Sequence, residues 1–300
     1  MGTSQAAGGG RRPAATLRAS ASVPIVPGQP FVVLAPHLGS TFIEARARGI
    51  MRTRSRGFQI SSQTFGEGPG ILLISGMLQA GQDWIDTGYI ELLSPSHRVV
   101  AVDPLGFGNS DKPHEVDAYG LDGQVADMIA VLDEVGIEKA VVWGYSMGCV
   151  VATALAKQHA DRTAALVVGG NLAALTPHDR DNIFTPGAAV LEELGVTGFI
   201  EQNMPYVDEP TRELFTNRND PLAAAAAVRS MARPHAAEDL PLPECTFNYV
   251  GTREPWYEVA LAVAESFGVK FEGVPNADHS GAFRAVDLVV PMVLSFVNGT

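Results

Sequence analysis

Ala140-Val141-Val142-Trp143-Gly144-Tyr145-Ser146-Met147-Gly148 decides the fold. Four apolar residues without alternation read as a strand buried on both faces. The G-x-S-x-G spacing that follows turns the chain from strand to helix within a few residues. So tight a reversal drives its central residue into strained backbone, and the flanking glycines remove the Cβ atoms that would clash. Ser146 is thereby lifted out at the carboxyl end of a sheet. It faces the N-terminus of a helix read over 147–159, whose backbone N–H groups favour negative charge. A serine held this way is expected to be a nucleophile. A glycine-rich turn that contains a serine by chance would lack the strand before it and the helix after it.

Working outward, the same wholly apolar pattern recurs at Ile71–Ile74, Val99–Val102 and Ala165–Val168. Further strands are read at Phe58–Phe65, Thr246–Val250 and Val269–Val274. Helices fall between them. Val125, Met128, Ile129 and Leu132 have the spacing of one buried helical face, Gly136 is a helix stop, and 282–297 is a closing helix. Strands alternating with helices imply parallel strands joined by crossover helices, an α/β sheet. Residues 172–243 break the alternation. They hold no convincing strand but two helix-like runs, around Glu192-Glu193 and Ala223–Ala227. A helical insertion of this length is expected to be a cap over a binding site.

With the strand Val99–Val102 leading into Asp103-Pro104-Leu105-Gly106-Phe107-Gly108-Asn109-Ser110-Asp111-Lys112-Pro113, the sequence resembles the α/β-hydrolase-fold serine hydrolases, of the esterase and lipase kind. The resemblance covers roughly residues 57–171 and 244–298. It implies a mostly parallel central sheet flanked by helices, with the core at 57–171 and 244–300 and the helical cap at 172–243. Asp103, Gly106 and Gly108 suit a tight turn with positive φ and are read as turn architecture, not catalysis.

A serine hydroxyl is a poor nucleophile until a base takes its proton. Of the seven histidines, His37, His97, His114, His159, His178, His235 and His279, the resemblance expects the base last in chain order, after the final strand. His279 stands there. The family pattern after the penultimate strand is Gly, two residues, then an acid, and Gly251-Thr252-Arg253-Glu254 puts Glu254 where most relatives carry aspartate. Asp278 is the weaker candidate, because neighbouring side chains in a loop seldom face each other. The acid's work is to fix the imidazole tautomer and stabilise the imidazolium. The oxyanion needs two N–H donors. The resemblance assigns them to Met147, next after the nucleophile, and Met77, in Ser75-Gly76-Met77-Leu78-Gln79, where Ser75 replaces the relatives' histidine.

The implied activity is hydrolysis of a carboxylic ester or similar small carbonyl compound through an acyl-enzyme. Three alternatives use the same fold and triad: a carbon–carbon bond hydrolase, a lactonase and a small-molecule receptor. Epoxide and haloalkane hydrolases are disfavoured, because those relatives carry aspartate where Ser146 stands. No metal or organic cofactor is expected, since neither a clustered ligand set nor a nucleotide-binding glycine pattern occurs. The substrate is expected to be small and apolar. Phe184, Phe199, Met204, Tyr206 and Phe215 of the insertion would mostly pack its own core. Arg180, Arg212, Arg218, Arg229 and Arg233 offer a carboxylate anchor but read mainly as solvated, and Trp84 reads as core.

Composition bounds the remaining classes. The chain has 300 residues, 46% hydrophobic and 18% charged, as in folded soluble proteins. No run of about 18 consecutive apolar residues occurs, so no membrane span is expected. Cys149 and Cys245 are too few for a disulfide framework. The net charge of −12 hides a split. Residues 1–60 carry eight arginines against Glu44 alone, and the rest of the chain is strongly acidic. An acidic body repels phosphate backbones, so no nucleic-acid partner is expected. Residues 1–56 read as a basic, disordered arm. Its Arg/Ser/Ala-rich, acid-poor start has the composition of an organelle transit peptide and equally of a low-complexity extension. A cytoplasmic location is expected, with organelle targeting by the arm as the alternative. The sequence carries no indication of oligomeric state.

Overall fold

The computed structural model describes residues 49–299 apart from 176, 205, 206 and 238. Eight strands, β1 (Ile50–Ser55), β2 (Phe58–Phe65), β3 (Gly70–Ile74), β4 (Arg98–Asp103), β5 (Ala140–Tyr145), β6 (Thr163–Gly169), β7 (Thr246–Gly251) and β8 (Lys270–Val274), form one sheet. Their order is β1-β2-β4-β3-β5-β6-β7-β8. The two pairings that involve β2 are antiparallel, and every other pairing is parallel. The expected mostly parallel α/β sheet is therefore present.

The apolar strands feed two cores. Successive side chains point to opposite faces. Leu72, Ile74, Val100, Val142, Leu166 and Val168 accordingly pack on one face, and Ile71, Leu73, Val99, Val141, Trp143 and Val167 on the other. Each fully buried Val or Leu contributes about 1.5–3 kcal/mol relative to exposure. The first face is covered by α3 (Leu121–Glu134) and α4 (Gly148–Gln158), through Val125, Met128, Val131 and Leu155 among others. The second is covered by α1 (Gly81–Asp86), α2 (Tyr89–Leu93) and the C-terminal helices, through Trp84, Tyr89, Phe283 and Val289. Trp84 is fully buried, as expected of a core residue.

Two expectations need correction. The basic arm was expected to run through residue 56, but Ile50–Ser55 is a strand, paired residue for residue with β2. Arg56 (φ 50°) and Gly57 (φ 95°) make a two-residue hairpin turn. The pattern Ile-Met-Arg-Thr-Arg-Ser lacks an apolar face because its order comes from backbone hydrogen bonds at a sheet edge. There, exposed arginines also discourage pairing with another chain. Arg56 closes the hairpin on Asp127 of α3, with Nη2–Oδ2 at 2.6 Å and Nε–Oδ1 at 3.0 Å. Residues 1–48 lie outside the described residues. The second correction is at the end of the chain. The single helix expected over 282–297 is two, α9 (His279–Arg284) and α10 (Val286–Asn298), separated where Ala285 leaves helical geometry (ψ 45°).

Between β6 and β7 the described residues form three helices and no strand: α5 (Pro177–Asn203), α6 (Glu209–Arg218) and α7 (Pro221–Met231). Asp208 and Asp220 cap α6 and α7 by accepting backbone N–H groups of Thr211, Leu222 and Ala223. Ala223–Ala227 are all buried, and these small side chains let α7 lie close against α5. Among the described residues one helix, His178–Asn203, is long and apolar enough to cross a membrane. In the fold its Phe184, Leu191, Phe199 and Ile200 are buried in the core, and Gly195 (φ 68°, ψ −169°) breaks it in two.

Candidate active site

The turn after β5 has the conformation its sequence demands. Ser146 sits at φ 52°, a region that L side chains rarely occupy and that persists only when the surroundings hold it. Its N–H donates to Gly169 O at 2.8 Å, and its carbonyl accepts Asn171 Nδ2–H at 2.9 Å. A Cβ at Gly144 would lie 2.6 Å from Gly148 O and 2.7 Å from Cys149 N, which explains the first glycine of the turn. Cys149, one helical turn on, is buried, and its thiol is held toward Gly144 O and Gly169 O. Burial pushes that thiol far above its ordinary pKa, which disfavours the thiolate.

His279 begins α9, 133 positions from Ser146 in the chain, yet both line one pocket. The imidazole has two aromatic neighbours, Tyr145 at 5.3 Å and Trp256 at 5.6 Å between centroids. Its Nδ1 lies 2.8 Å from Glu254 Oε2. The Glu254 side chain is 0% exposed, and its other oxygen accepts the Gly251 N–H at 3.4 Å. A carboxylate only accepts hydrogen bonds, so this contact calls for a proton on Nδ1. The extra methylene of a glutamate is thus accommodated. Asp278 is occupied otherwise: it caps α9 by accepting the Gly281 N–H at 2.8 Å.

The loop after β3 completes the pocket. Met77 lines it with Ser146 and His279, whereas Met147 is buried beside it at the start of α4. Neither backbone N–H donates a hydrogen bond to any described residue. Ser75, where relatives carry histidine, is turned into the core, where it accepts Trp84 Nε1–H at 3.1 Å. A Cβ at Gly76 would lie 2.7 Å from Gln79 Oε1 and 3.1 Å from Ser146 Cβ, so a larger residue there would crowd the serine. The nearby Asp103 loop is architecture, as expected. Its carboxylate accepts N–H groups of Gly81 (2.7 Å) and Asn109 (2.8 Å), and Gly106 and Gly108 have φ of 91° and 54°.

The insertion contributes Met204, Val207, Thr211, Leu214 and Phe215 to the same pocket, whose volume is about 210 Å³. A larger cavity of about 640 Å³ lies between α4 and the two ends of the insertion, and contains neither Ser146 nor His279. Chemistry rather than size therefore selects the smaller one. Phe184 and Phe199 pack inside the insertion as expected, Phe215 is also buried there, and Tyr206 lies outside the described residues. The insertion's arginines were read as mainly solvated. Arg180 and Arg218 are not: Arg180 is 2% exposed, and Arg218 pairs with Asp83 at 2.6 Å while its guanidinium bonds Leu78 O. Nothing in the sequence around Arg218 marks that role, because its partners lie about 140 residues away. Among the described residues no group of three His, Cys, Asp or Glu side chains could hold a metal ion.

The family described as alpha/beta hydrolase fold matches residues 69–189. The sequence is 36% identical over 101 residues to epoxide hydrolase B of Mycobacterium tuberculosis, a match covering 34% of this chain and 28% of that protein. It is 34% identical over 136 residues to 2-hydroxymuconate semialdehyde hydrolase of Pseudomonas sp. strain CF600, covering 45% and 44%. The chain thus spans less than half the length of the curated relatives it matches. Among solved structures, a thermophilic esterase from Thermogutta terrifontis superimposes with a TM-score of 0.70 at 22% identity, over 84% of this chain and 98% of that one. At that identity the likeness is one of fold.

Proposed function

We propose, on the premise of the α/β-hydrolase fold matched by residues 69–189, that the chain is a serine hydrolase acting on a small carboxylic ester through an acyl-enzyme. The observation that carries the reading is the 2.8 Å contact of Glu254 with His279, made by an imidazole that shares a pocket with the strained Ser146.

Ser146 Oγ attacks the ester carbonyl carbon as His279 Nε2 takes its proton. Glu254 holds the ring in the tautomer protonated on Nδ1 and stabilises the imidazolium that forms. The backbone N–H groups of Met147 and Met77 receive the oxyanion, and each such donor is worth about 10²–10³ in rate. The tetrahedral intermediate collapses, the C–O bond to the leaving group breaks, and the imidazolium protonates the departing alcohol. A water deprotonated by His279 then attacks the acyl carbon, and the carboxylic acid leaves Ser146.

Serine at the nucleophile position weighs against the epoxide chemistry named in several relatives. The similarity to 2-hydroxymuconate semialdehyde hydrolase favours carbon–carbon hydrolysis as the second reading, since the same residues can serve it. Substrate size follows from the pocket. About 210 Å³ is below the roughly 300–1,000 Å³ usual for drug-sized ligands, so short acyl groups are preferred. A panel of p-nitrophenyl esters from acetate to palmitate tests this. Turnover is expected to be highest for the two- to four-carbon esters and lost in Ser146→Ala. Best turnover on long chains, or undiminished turnover without Ser146, rejects the proposal. If no ester is turned over while a vinylogous diketone is cleaved, the second reading replaces it.

A further inference from the structure

The oxyanion loop is not self-supporting. Within it, Gln79 N–H donates to Gly76 O at 3.2 Å and the Gln79 side chain accepts Gly76 N–H at 3.1 Å. Between these residues Leu78 is held at φ 64°, a conformation costly for a branched side chain and kept only by outside constraint. Its side chain is buried in the core. Its carbonyl is bound by the insertion: Leu78 O accepts Arg218 Nη2–H at 2.8 Å, Arg218 Nε–H at 3.3 Å and Asn219 Nδ2–H at 2.9 Å.

The same guanidinium ties down the far end of the loop. Arg218 Nη2 lies 2.6 Å from Asp83 Oδ2, and Asp83 Oδ2 accepts the Ala80 N–H at 2.7 Å. One side chain at the C-terminus of α6 therefore fastens both Leu78 and, through Asp83, Ala80. One turn earlier on α6 stands Phe215, which lines the pocket and lies under the Arg218 guanidinium, 5.0 Å from ring centroid to Cζ. The residue that contacts substrate space and the residue that anchors the loop share one helical turn.

We infer that Arg218, assisted by Asn219, is a positioning residue that makes formation of the oxyanion hole depend on the seating of α6 over the pocket. The Leu78 carbonyl is the latch. With α6 seated, Leu78 is held left-handed and Met77 is kept in the pocket that it shares with Ser146. With α6 displaced, the three hydrogen bonds are lost, Leu78 relaxes from φ 64°, and the loop segment that carries Met77 shifts with it. A substrate that packs against Phe215 thereby completes the hole that will act on it. The role of Met77 N–H in this scheme rests on the serine-hydrolase reading above; the latch itself does not.

The test compares the full-length wild type, Arg218→Met and Arg218→Lys by two readouts. The first is amide hydrogen exchange of residues 77–80, which needs no substrate. Faster exchange there in Arg218→Met, with the strands unchanged, is expected; unchanged exchange overturns the latch. The second is kinetics on p-nitrophenyl acetate. Arg218→Met is expected to lose kcat by up to the ~10²–10³-fold of a missing donor, with KM within about threefold. Lysine keeps a charge for Asp83 but cannot fork over Leu78 O as well. Arg218→Lys should therefore recover most of the melting temperature while recovering little kcat. If kcat returns in step with the melting temperature, Arg218 only stabilises the fold and the inference fails. An inactive wild type whose loop nonetheless loosens in Arg218→Met overturns the hydrolase reading and leaves the latch standing.

Discussion

Glu254 and His279 stand 25 residues apart and meet at 2.8 Å, with the carboxylate fully buried and the imidazole nearly so. A buried carboxylate is costly unless it is bonded. Here its partners are the ring Nδ1 and the Gly251 N–H, both placed by the ends of β7 and β8. The pair is therefore built by the sheet rather than by the local sequence.

Replacing Glu254 by glutamine keeps the volume and removes the charge. The amide can donate to Nδ1, which would put the ring proton on Nε2 and disable the base. The expected loss in kcat is about 10⁴-fold, the size seen when a triad acid is made an amide, with the far-UV circular dichroism spectrum unchanged. Loss of less than tenfold would remove Glu254 from the chemistry.

The Arg56–Asp127 pair should matter to stability more than most ion pairs. Asp127 is 1% exposed and Arg56 only 27%. Truncating the arginine strands a buried carboxylate, at a cost of about 3–5 kcal/mol. Urea denaturation of Arg56→Ala should show that loss, and the double variant Arg56→Met with Asp127→Leu should recover most of it. An Arg56→Ala change below about 1 kcal/mol would mean that the hairpin is not fastened there.

That pair also shows where the sequence could not be read. The buried strands were legible because a strand covered on both faces has to be apolar throughout, as in Ile71–Ile74 and Ala140–Trp143. The turn at Ser146 was legible because few residue types tolerate its backbone. β1 was not, since an edge strand needs only backbone partners and its arginines looked like a solvated arm. The break at Ala285 carries no glycine or proline to announce it. Glu254 was legible only through the resemblance, whose Gly-x-x-acid pattern it fits after Gly251, whereas the Arg218 latch joins residues with no local pattern at all.

A pH dependence follows from Asp83. Its burial raises the carboxyl above its ordinary value, while Arg218 and the Ala80 N–H lower it and the neighbouring Asp86 raises it further. With a folded-state pKa above the unfolded one, the native state holds this proton more tightly. Asp83's contribution to stability is then fully present below the unfolded value and falls as pH rises through the folded one. Arg218→Met removes a lowering influence and leaves an unpaired charge at neutral pH. The variant should lose more melting temperature at pH 7 than at pH 4. Equal losses at the two pH values would show that Arg218 does not serve the carboxylate.

The most direct test of the central claim is covalent. The folded protein is treated with a fluorophosphonate, and the modified peptide is identified by mass spectrometry. The account predicts one adduct per chain, on Ser146, abolished in Ser146→Ala and strongly slowed in His279→Ala. No adduct on the folded chain, or an adduct on another residue that persists in Ser146→Ala, would contradict it.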